Sequence, residues 1–527
     1  MTAAAELSLT RWLPDRAALT PDRVAIEFGD RQITYAGLAA SAAEWAAAFA
    51  STGLRAGDRV ATLARNRPEQ VAVFFACAQS GLILVPLNWR LTAPELAYQL
   101  GDAAPALLLA DPELRELAVQ ARDLAALDAS PVEIAQLTSP PAPAVGDIPP
   151  RPAARDVLPV AVTGDDPLLI LYTSGTTGRP KGAVLTHANC FWTNLSLDRT
   201  GEVNGGDVVL QVLPQCHVGG WNVQPLLAWW KGATVVLEQS FDAARVLDLI
   251  ESKKITTMMG VPTNYQMLAA QPGFATADLS SLRQVIVGGA PMPRPVLETW
   301  LARGVTVLQG YGLTEAAPNV LCVPAEYARE KTGSAGRPYL HVRVALRDLG
   351  GGDLIAGTGT GELLVAGPNV FAGYWRNPQA TKAALDGGWL ATGDIAERDA
   401  DGFYWIRGRS KDMYISGGEN VYPAEVEEAL IGHESVLEAA VVGVPDQRWG
   451  ETGLAFVVLR PGRDISDEEL TAYCRSRLAR YKVPTSFRPV ARLPKLTSGK
   501  LDKVTLRQMI ADSPQDGNGC DGGTDVS

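Results

Sequence analysis

The chain has 527 residues, of which 46% are hydrophobic and 20% charged, and its formal net charge is −11. A chain of this length exceeds what a single hydrophobic core supports, so we expect at least two domains. The acidic balance excludes general nucleic-acid binding, which needs a cationic surface. The six cysteines are scattered without a CxxC pair, a pattern typical of reduced thiols in a cytoplasmic protein.

No targeting or membrane segment is expected. The N-terminal residues MTAAAELSLTRW lack a basic start followed by an apolar run, so no signal peptide is predicted. Residues 70–89 carry no charge, but Gly81, Pro86 and Asn88 make them a poor membrane span. The pattern there predicts a buried helix, a glycine break and a buried strand.

Helical patterns alternate with short apolar strands over residues 1–128, and the same alternation resumes after residue 167. This pattern is typical of helices that cover a largely parallel sheet. The intervening residues 129–167 hold nine prolines and little periodicity, which predicts a surface crossing loop. The fold class is therefore α/β, with parallel-type sheets covered by helices.

The pattern changes after about residue 340, where short strands and turns predict a small β subdomain. Beyond the charged segment GRSKD, a compact α+β pattern runs to residue 511. We therefore predict a large N-terminal domain over 1–408 and a small mobile C-terminal domain over 409–511. Residues 512–527 are rich in Gly, Asp and Ser, which predicts a disordered tail.

The strongest local motif is YTSGTTGRPKG at residues 172–182, directly after the apolar strand LLILY. Its glycines let successive backbone N–H groups form a concave nest that binds anions. Four hydroxyl groups and a lysine add donors and positive charge. The spacing is not that of a Walker loop. The motif predicts a polyphosphate site formed by Thr173, Ser174, Gly175, Thr176, Thr177, Gly178 and Lys181.

This motif resembles the signature of the acyl-adenylate-forming superfamily, which includes acyl-CoA synthetases, aryl-CoA ligases, luciferases and peptide-synthetase adenylation domains. The resemblance extends from about residue 10 to 510, with further motifs in the family order. It implies an enzyme that uses ATP and Mg²⁺ to activate a carboxylic acid as its adenylate. Coenzyme A is the acyl acceptor that the resemblance favours.

Several nucleotide contacts follow from the resemblance. In QGYGLTE, residues 309–315, it implies that Tyr311 stacks on adenine, Thr314 contacts the α-phosphate and Glu315 binds Mg²⁺. A carboxylate-bound Mg²⁺ that bridges phosphate oxygens is usual in nucleotide chemistry. Asp394 and Arg409 resemble the two ribose contacts. The backbone expected to line the adenine and acyl pockets consists of Gly288, Gly289, Ala290, Pro291, Gly310 and Gly312.

Lys500, in the segment LTSGK, matches the catalytic lysine of the family. The resemblance implies that it bridges the substrate carboxylate and the α-phosphate, where two anions must meet. The family hinge aligns with Lys411. Rotation at that hinge replaces Lys500 with a face that includes Gly417 and Gly418, which fit a close backbone approach to the pantetheine of coenzyme A. Domain closure of this kind often sets turnover.

Residues 214–222, PQCHVGGWN, align with the segment that lines the acyl pocket in the family. His217 is its most recognisable member and joins Thr314, Glu315 and Lys500 in the predicted catalytic set. Gly219 leaves room in the pocket, and Trp221 matches a gating tryptophan of some fatty acyl-CoA synthetases. We therefore expect a medium- or long-chain fatty acid as the substrate.

Two observations narrow the choice of substrate and of acyl acceptor. No acid lies between Asp207 and Glu238, which disfavours α-amino acids because a buried ammonium group would be unpaired. Fatty acyl-AMP ligases carry an insertion for which the short run from Gly336 to Gly361 leaves no space. An aryl-CoA ligase, or an adenylating enzyme that loads a carrier protein or another nucleophile, stays an alternative.

A nucleotide-binding regulator without activity is a hypothesis from another class of protein. Lys181, Glu315 and Lys500 are all present, and their joint retention disfavours it. The sequence leaves open whether the protein forms a homodimer.

Overall fold

The computed structural model describes residues 7–125, 133–138, 161–173, 179–201, 203–350, 352–416, 419–447, 449–495 and 501–511. The chain divides into two compact units after Ile406. The predicted boundary between residues 408 and 409 stays a prediction, and the predicted tail lies outside the described residues.

The first sheet of the large unit contains nine strands of the described chain, and its six central strands are parallel. Central strands such as Gln284–Val287 are buried along their whole length, as expected where both faces of a parallel sheet are covered. In spatial order the strands are Arg337–Pro338, Asn319–Cys322, Thr306–Gly312, Gln284–Val287, Thr257–Gly260, Val208–Gln211, Thr234–Leu237, Val24–Phe28 and Arg31–Thr34.

The second sheet contains seven described strands, of which five are parallel and two continue it in antiparallel pairing. The two antiparallel strands are Gly373–Tyr374 and Lys181–Thr186, and Lys181–Thr186 follows the predicted phosphate loop in the chain. In spatial order the strands are Gly373–Tyr374, Lys181–Thr186, Pro167–Thr173, Ile83–Leu87, Arg59–Leu63, Leu107–Ala110 and Glu133–Gln136.

Helix Pro68–Ser80 shows how the sequence builds the core of this unit. Proline occupies its first turn, and Gly81 ends it in the left-handed conformation at φ +67°. Ten of its thirteen residues are buried, as expected of a helix that is apolar on all sides. Its side chains belong to one apolar cluster with residues of both sheets, such as Ile26 and Leu84.

The other α-helices described in this unit are mostly amphipathic or apolar and cover the sheets. They are Trp12–Leu19, Tyr35–Ser51, Ala93–Ala103, Arg115–Leu124, His187–Asp198, Gly219–Asn222, Pro225–Lys231, Ala243–Ser252, Pro262–Ala269, Arg294–Ala302 and Pro378–Ala384. Short 3₁₀ turns lie at Leu9–Arg11, Pro112–Leu114, Thr314–Ala316 and Ala325–Tyr327.

A small antiparallel sheet follows, as the sequence predicted. Its described strands are Arg343–Arg347, Gly359–Ala366, Trp389–Arg398 and Leu385–Asp386, with Tyr404–Arg409 beside Trp389–Arg398.

The smaller unit is an α+β unit with two apolar clusters of its own. Its described strands are Tyr414–Ser416, Glu419–Val421, Val436–Asp446, Gly450–Leu459 and Ser486–Pro489. Its described helices are Pro423–Ile431, Asp467–Arg475 and Lys503–Ala511, with 3₁₀ turns at Ser410–Asp412 and Arg480–Lys482.

The predicted α/β class is confirmed, as is the buried helix, glycine break and strand over residues 70–89. The prediction of a loop over 129–167 is wrong at Glu133–Gln136, which pairs in parallel with Leu107–Ala110. Only two of these four residues are partly buried, so this short edge strand has no apolar run to mark it. Within the described residues, no helix has both the length and the apolar composition that a bilayer crossing needs.

Candidate active site

The two strands that flank the predicted phosphate loop form an antiparallel pair, Pro167–Thr173 with Lys181–Thr186. Thr173 pairs with Lys181, so the two ends of the loop face each other across this hairpin. A hydrogen bond anchors the first strand of this hairpin, since the Tyr172 hydroxyl donates to Oδ2 of Asp102 at 2.7 Å. Burial, followed by the charge of Asp102, raises the pKa of Tyr172 and keeps it a donor.

The remaining loop residues, Ser174, Gly175, Thr176, Thr177 and Gly178, lie outside the described residues. Their phosphate contacts stay predictions.

Glu315 lies beside this hairpin although it is far from it in sequence. The 3₁₀ turn Thr314–Ala316 presents it, and the backbone N–H of Phe371 donates to its carbonyl oxygen at 2.9 Å. Its Oε1 accepts hydrogen bonds from the Thr173 hydroxyl at 3.2 Å and the Tyr374 hydroxyl at 2.9 Å. The structure therefore brings the predicted metal carboxylate to the mouth of the predicted phosphate loop.

This donor set fits Mg²⁺. The ion prefers oxygen ligands and takes only one or two carboxylates from a protein that also binds a nucleotide. Glu315 supplies a carboxylate whose orientation is fixed by two hydroxyl groups. Within the described chain, no group of three or more His, Cys, Asp or Glu side chains is clustered as a metal cage. Glu315 is the residue that would hold the ion, and nucleotide phosphates would supply further oxygen ligands.

The predicted adenine and ribose residues meet in the structure. The Tyr311 hydroxyl donates a hydrogen bond of 2.5 Å to Oδ2 of Asp394. Asp394 is only 5% exposed, and its backbone N–H donates to the Thr392 hydroxyl at 3.0 Å. Thr392 in turn donates to the carbonyl of Leu363 at 2.7 Å. The preceding Gly393 adopts φ +70°, a left-handed conformation that glycine adopts most readily.

The predicted pocket backbone lies at the carboxyl ends of two adjacent parallel strands. Val287 pairs with Gln309, so Gly288, which directly follows its strand, lies beside Gly310 of the strand Thr306–Gly312. The Gln309 side chain joins the two segments, since it accepts from the Met292 N–H at 3.1 Å and donates to the Ala290 carbonyl at 3.3 Å. Ligands of open α/β sheets bind at such an edge.

Packing is tight at two glycines of this edge, against backbone at Gly312 and against a flexible side chain at Gly288. A Cβ on Gly312 would lie 1.9 Å from the carbonyl oxygen of Pro318. A Cβ on Gly288 would lie 2.9 Å from the Met259 methyl group. Neither position accepts a side chain without displacement of its neighbour.

The predicted acyl segment is tightly held. The His217 N–H donates to the carbonyl of Pro214 at 3.1 Å. Trp221 is fully buried, its indole N–H donates to Gln215 at 2.6 Å, and its ring stacks on Phe74 at 4.8 Å. Trp221 therefore lies in the core in this structure, and a gating role would require it to leave both contacts. That role stays a prediction, as do the pocket roles of His217 and Gly219.

In the smaller unit, Lys500, Gly417 and Gly418 lie outside the described residues, but their neighbours are described. Lys495 and Leu501, at the two ends of the segment that contains Lys500, form an antiparallel bridge. Ser416 and Glu419, which flank the two glycines, pair with each other.

The predicted hinge residue Lys411 is exposed in the turn Ser410–Asp412. Arg507 forms an ion pair of 3.1 Å with Asp412 in that turn. Arg409 ends the preceding strand. The roles of Lys500, Gly417, Gly418, Lys411 and Arg409 stay predictions.

Sequence reasoning missed two residues that organise the site. Tyr374 contacts Glu315, and Asn369 donates to the carbonyls of Ala316 and Asn319 at 3.0 and 3.2 Å. Both belong to the segment PNVFAGYW, whose apolar and aromatic residues are typical of ordinary packing. The polar residues within an otherwise apolar stretch were the available signal, since buried polar groups need partners.

Comparisons with known proteins identify the family of this chain. The sequence model of the AMP-binding enzyme family matches residues 13–375, and that of the AMP-binding enzyme C-terminal domain matches residues 425–500. The fold, the assembled motifs and these matches define an AMP-forming acid–thiol ligase.

The relatives are similar over nearly the whole chain. A feruloyl-CoA synthase of Amycolatopsis sp is 42% identical over 95% of this chain and 98% of its own. An indoleacetate–CoA ligase of Aromatoleum aromaticum is 39% identical, with 96% and 98% covered. The long-chain-fatty-acid–CoA ligase FadD13 of Mycobacterium tuberculosis is 37% identical, with 92% and 94% covered.

A solved structure, the o-succinylbenzoate coenzyme A synthetase of Bacillus subtilis in complex with ATP and magnesium, superposes with a TM-score of 0.83. It is 33% identical, and the match covers 94% of this chain and 99% of that one. The chain therefore belongs to the AMP-binding enzyme family, the acyl-adenylate-forming superfamily that its motifs resemble, and this prediction is confirmed.

Proposed function

We propose that this protein uses ATP and Mg²⁺ to activate an aromatic or arylalkyl carboxylic acid as its adenylate and then transfers the acyl group to coenzyme A. The observation that carries the proposal is the contact of Thr173 with Glu315. It joins the predicted phosphate loop to the predicted metal carboxylate across two sheets. The CoA ligases among the relatives support the choice of acceptor.

In the first half-reaction a carboxylate oxygen attacks the α-phosphorus of ATP, and pyrophosphate leaves. Lys181 and the loop N–H groups hold the phosphates, while Lys500 lies between the two anions that must meet. Tyr311 and Asp394 fix the nucleoside, and Thr314 contacts the α-phosphate. Glu315 would hold Mg²⁺, which would supply positive charge to the phosphates when bound.

In the second half-reaction the coenzyme A thiol attacks the carbonyl carbon of the adenylate, and AMP leaves with the bonding electron pair. AMP is a good leaving group, so the protein mainly orients the thiol and admits the pantetheine chain. Rotation at Lys411 replaces Lys500 with the backbone of Gly417 and Gly418 at the site. His217 belongs to the segment that is predicted to line the acyl pocket.

The substrate class rests on the acyl segment. The expectation of a fatty acid depended on the space left by Gly219 and on Trp221 as a gate. The Trp221 ring, however, is buried against Phe74 with its N–H bonded. A ring held in the core in this way gives no support for a gate that opens to admit a long alkyl chain. The similarity to feruloyl- and indoleacetate-activating enzymes supports an aryl acid.

A medium- or long-chain fatty acid is the second candidate. Gly219 has no side chain, which leaves space in the predicted acyl pocket for a long chain. A Cβ at this position would lie 3.3 Å from Leu213 and would reduce that space. The similarity to FadD13 supports this candidate as well.

Coenzyme A is favoured over a carrier protein by the short turn in the β subdomain. Strands Arg343–Arg347 and Gly359–Ala366 pair in register over five residues. The turn between them folds back through a bridge of Arg347 with Leu354. A cytoplasmic location and a homodimer stay predictions, and light scattering tests the second.

The experiment is pyrophosphate release from a panel of acids, with and without coenzyme A. The panel pairs ferulate-like and indolyl acids with saturated fatty acids of six to sixteen carbons. We expect the highest kcat/KM with an aryl acid, and a thioester by mass only when coenzyme A is present. Pyrophosphate release that is indifferent to coenzyme A and yields no thioester contradicts the acceptor. A higher kcat/KM with fatty acids selects the second candidate.

A further inference from the structure

Tyr374 is built into the same sheet as the predicted phosphate loop. The strand Gly373–Tyr374 pairs antiparallel with Lys181–Thr186, and Tyr374 stands opposite Ala183. The N–H of Trp375 donates to the carbonyl of Gly182 at 2.7 Å. The backbone of Tyr374 is therefore bonded to the strand that begins with Lys181.

A helix fixes the same backbone from its other side. The Tyr374 N–H donates to the Thr381 hydroxyl at 2.9 Å, and Thr381 belongs to helix Pro378–Ala384. Gly373 adopts φ +133°, and a Cβ there would lie 2.7 Å from the Thr381 methyl group. The ring of Tyr374 is thus supported by a strand and a helix, and it moves only if one of them moves.

The side chain of Tyr374 touches two predicted site residues of opposite charge. Its hydroxyl donates to Oε1 of Glu315 at 2.9 Å, and its ring face lies 5.1 Å from Nζ of Lys181. A phenol is a good donor to a carboxylate, and its ring attracts an ammonium group. The two charges therefore contact different parts of one rigid side chain.

Without such a side chain, the ammonium group and the carboxylate attract each other directly. A direct ion pair would have to break before the phosphates and the metal bound, which lowers the affinity for both. We infer that Tyr374 is a positioning residue that holds Glu315 for Mg²⁺ and Lys181 for the ATP phosphates. It prevents Glu315 and Lys181 from forming an ion pair with each other. The inference rests on the proposed function.

Two substitutions separate the two contacts. Tyr374→Phe removes the hydroxyl and keeps the ring face toward Lys181, whereas Tyr374→Leu removes both. The full-length variants are titrated with Mg²⁺ in the presence of the α,β-methylene analogue of ATP, and binding is followed by calorimetry. We expect Tyr374→Phe to raise the Mg²⁺ concentration at half-saturation about tenfold, because one charge-assisted hydrogen bond is lost.

With Tyr374→Leu we expect a further loss, of about tenfold in analogue affinity, that persists at saturating Mg²⁺. Thioester formation from a synthetic acyl-adenylate should stay within about threefold of wild type in both variants, since that step needs neither contact.

Tyr35→Phe is the matched control. It also removes one buried phenol hydroxyl, which donates to the carbonyl of Ala233 at 2.6 Å, and it should leave the Mg²⁺ midpoint unchanged. Wild-type protein that binds the analogue without regard to Mg²⁺ would overturn the proposed function itself. Normal wild-type binding with an unchanged midpoint in Tyr374→Phe overturns only the positioning role. Equal losses in binding and in the thioester step of the Tyr374 variants indicate a general structural defect and also overturn the positioning role.

Discussion

The Tyr311 hydroxyl donates a hydrogen bond of 2.5 Å to the Asp394 carboxylate, although 83 residues separate the two in sequence. The contact couples the residue predicted to stack on adenine with the residue predicted to bind ribose. It also joins the first sheet to the small antiparallel sheet, because Tyr311 belongs to Thr306–Gly312 and Asp394 to Trp389–Arg398. The two residues predicted to bind the nucleoside are therefore held together by the protein without a ligand.

Tyr311→Phe tests this contact, because it keeps the aromatic face and removes only the bond to Asp394. We expect KM for ATP to rise about three- to tenfold with kcat within about twofold, since the lost bond orients a carboxylate and does not touch the reacting atoms. Asp394→Asn should raise KM further, as it removes the charged acceptor of the ribose hydroxyls. Steady-state pyrophosphate release at varied ATP measures both, and a Tyr311→Phe enzyme with wild-type KM contradicts the coupling.

Lys500→Ala tests the division of labour between the two half-reactions. Removing the cation that is predicted to lie between carboxylate and α-phosphate should slow adenylation by about 10² to 10³-fold, the range for loss of one transition-state charge partner. Thioester formation from a synthetic acyl-adenylate should stay within a few-fold of wild type. Single-turnover assays of each half-reaction provide the measurement.

Lys495→Ala is the matched control for that variant. Lys495 lies at the other end of the same segment and pairs with Glu438 at 2.8 Å. Its loss removes a partly exposed ion pair, which is worth little, so both half-reactions should be close to wild type. Loss of both half-reactions in Lys500→Ala contradicts the two-conformation mechanism.

Much of the fold was predictable because parallel sheets and buried helices leave continuous apolar runs, as in Pro68–Ser80. The edge strand Glu133–Gln136 was not, since its pairing depends on a neighbour and its residues show no apolar pattern. Tertiary pairing, rather than local propensity, decides such strands.

The candidate site also contains residues that the sequence predicts and contacts that it does not. Tyr311, Asp394 and Glu315 were predicted one by one from motifs, but their contacts depend on how two sheets pack and have no local signal. Tyr374 was missed because its role comes from its neighbours and not from its sequence segment. Trp221 was assigned to the pocket by alignment alone, whereas the packing of Phe74 decides that its ring is buried.

Gly219 and Gly220 are adjacent in the acyl segment, and substitution of each tests whether it is needed for packing or for substrate binding. A Cβ on Gly220 would lie 2.4 Å from the backbone oxygen of Pro214, whereas one on Gly219 would lie 3.3 Å from the flexible side chain of Leu213. Gly220→Ala should therefore destabilise the large unit by about 2 kcal/mol or more. Gly219→Ala should fold normally and reduce kcat/KM for larger acids relative to smaller ones.

Urea unfolding followed by tryptophan fluorescence reports the stability of both variants, because all tryptophans except Trp449 precede the division at Ile406. A Gly220→Ala protein as stable as wild type contradicts the packing argument. An unchanged preference among acids in Gly219→Ala shows that this residue does not line the acyl pocket.

His187 gives the large unit a defined pH dependence. The side chain is fully buried at the start of helix His187–Asp198, and its Nδ1 accepts a hydrogen bond from the Leu9 N–H at 3.1 Å. Burial lowers the pKa of His187 from 6.5 to about 4, and the nearby charge of Asp166 offsets only part of this effect. The imidazole is therefore neutral in the folded protein throughout the neutral and mildly acidic range.

The sign of the effect follows from proton binding. Above pH 6.5 both the folded and the unfolded states hold a neutral imidazole, and the stability is fully present. As the pH falls below 6.5, only the unfolded state binds the proton, so the free energy of unfolding decreases by about 1.4 kcal/mol per pH unit. The decrease ends near pH 4, where the folded state also protonates, after a loss on the order of 3 kcal/mol.

His187→Asn isolates this contribution, since its amide oxygen still accepts from Leu9 but does not titrate. Urea unfolding of both proteins by tryptophan fluorescence at pH 7.5, 6.0 and 5.0 compares their slopes. We expect the variant to be less stable than wild type at pH 7.5, because the smaller side chain packs less well, and to lose less stability on acidification. The two unfolding curves should therefore approach each other as the pH falls. Parallel losses in both proteins would mean that other groups, and not the buried imidazole, set the acid sensitivity of this unit.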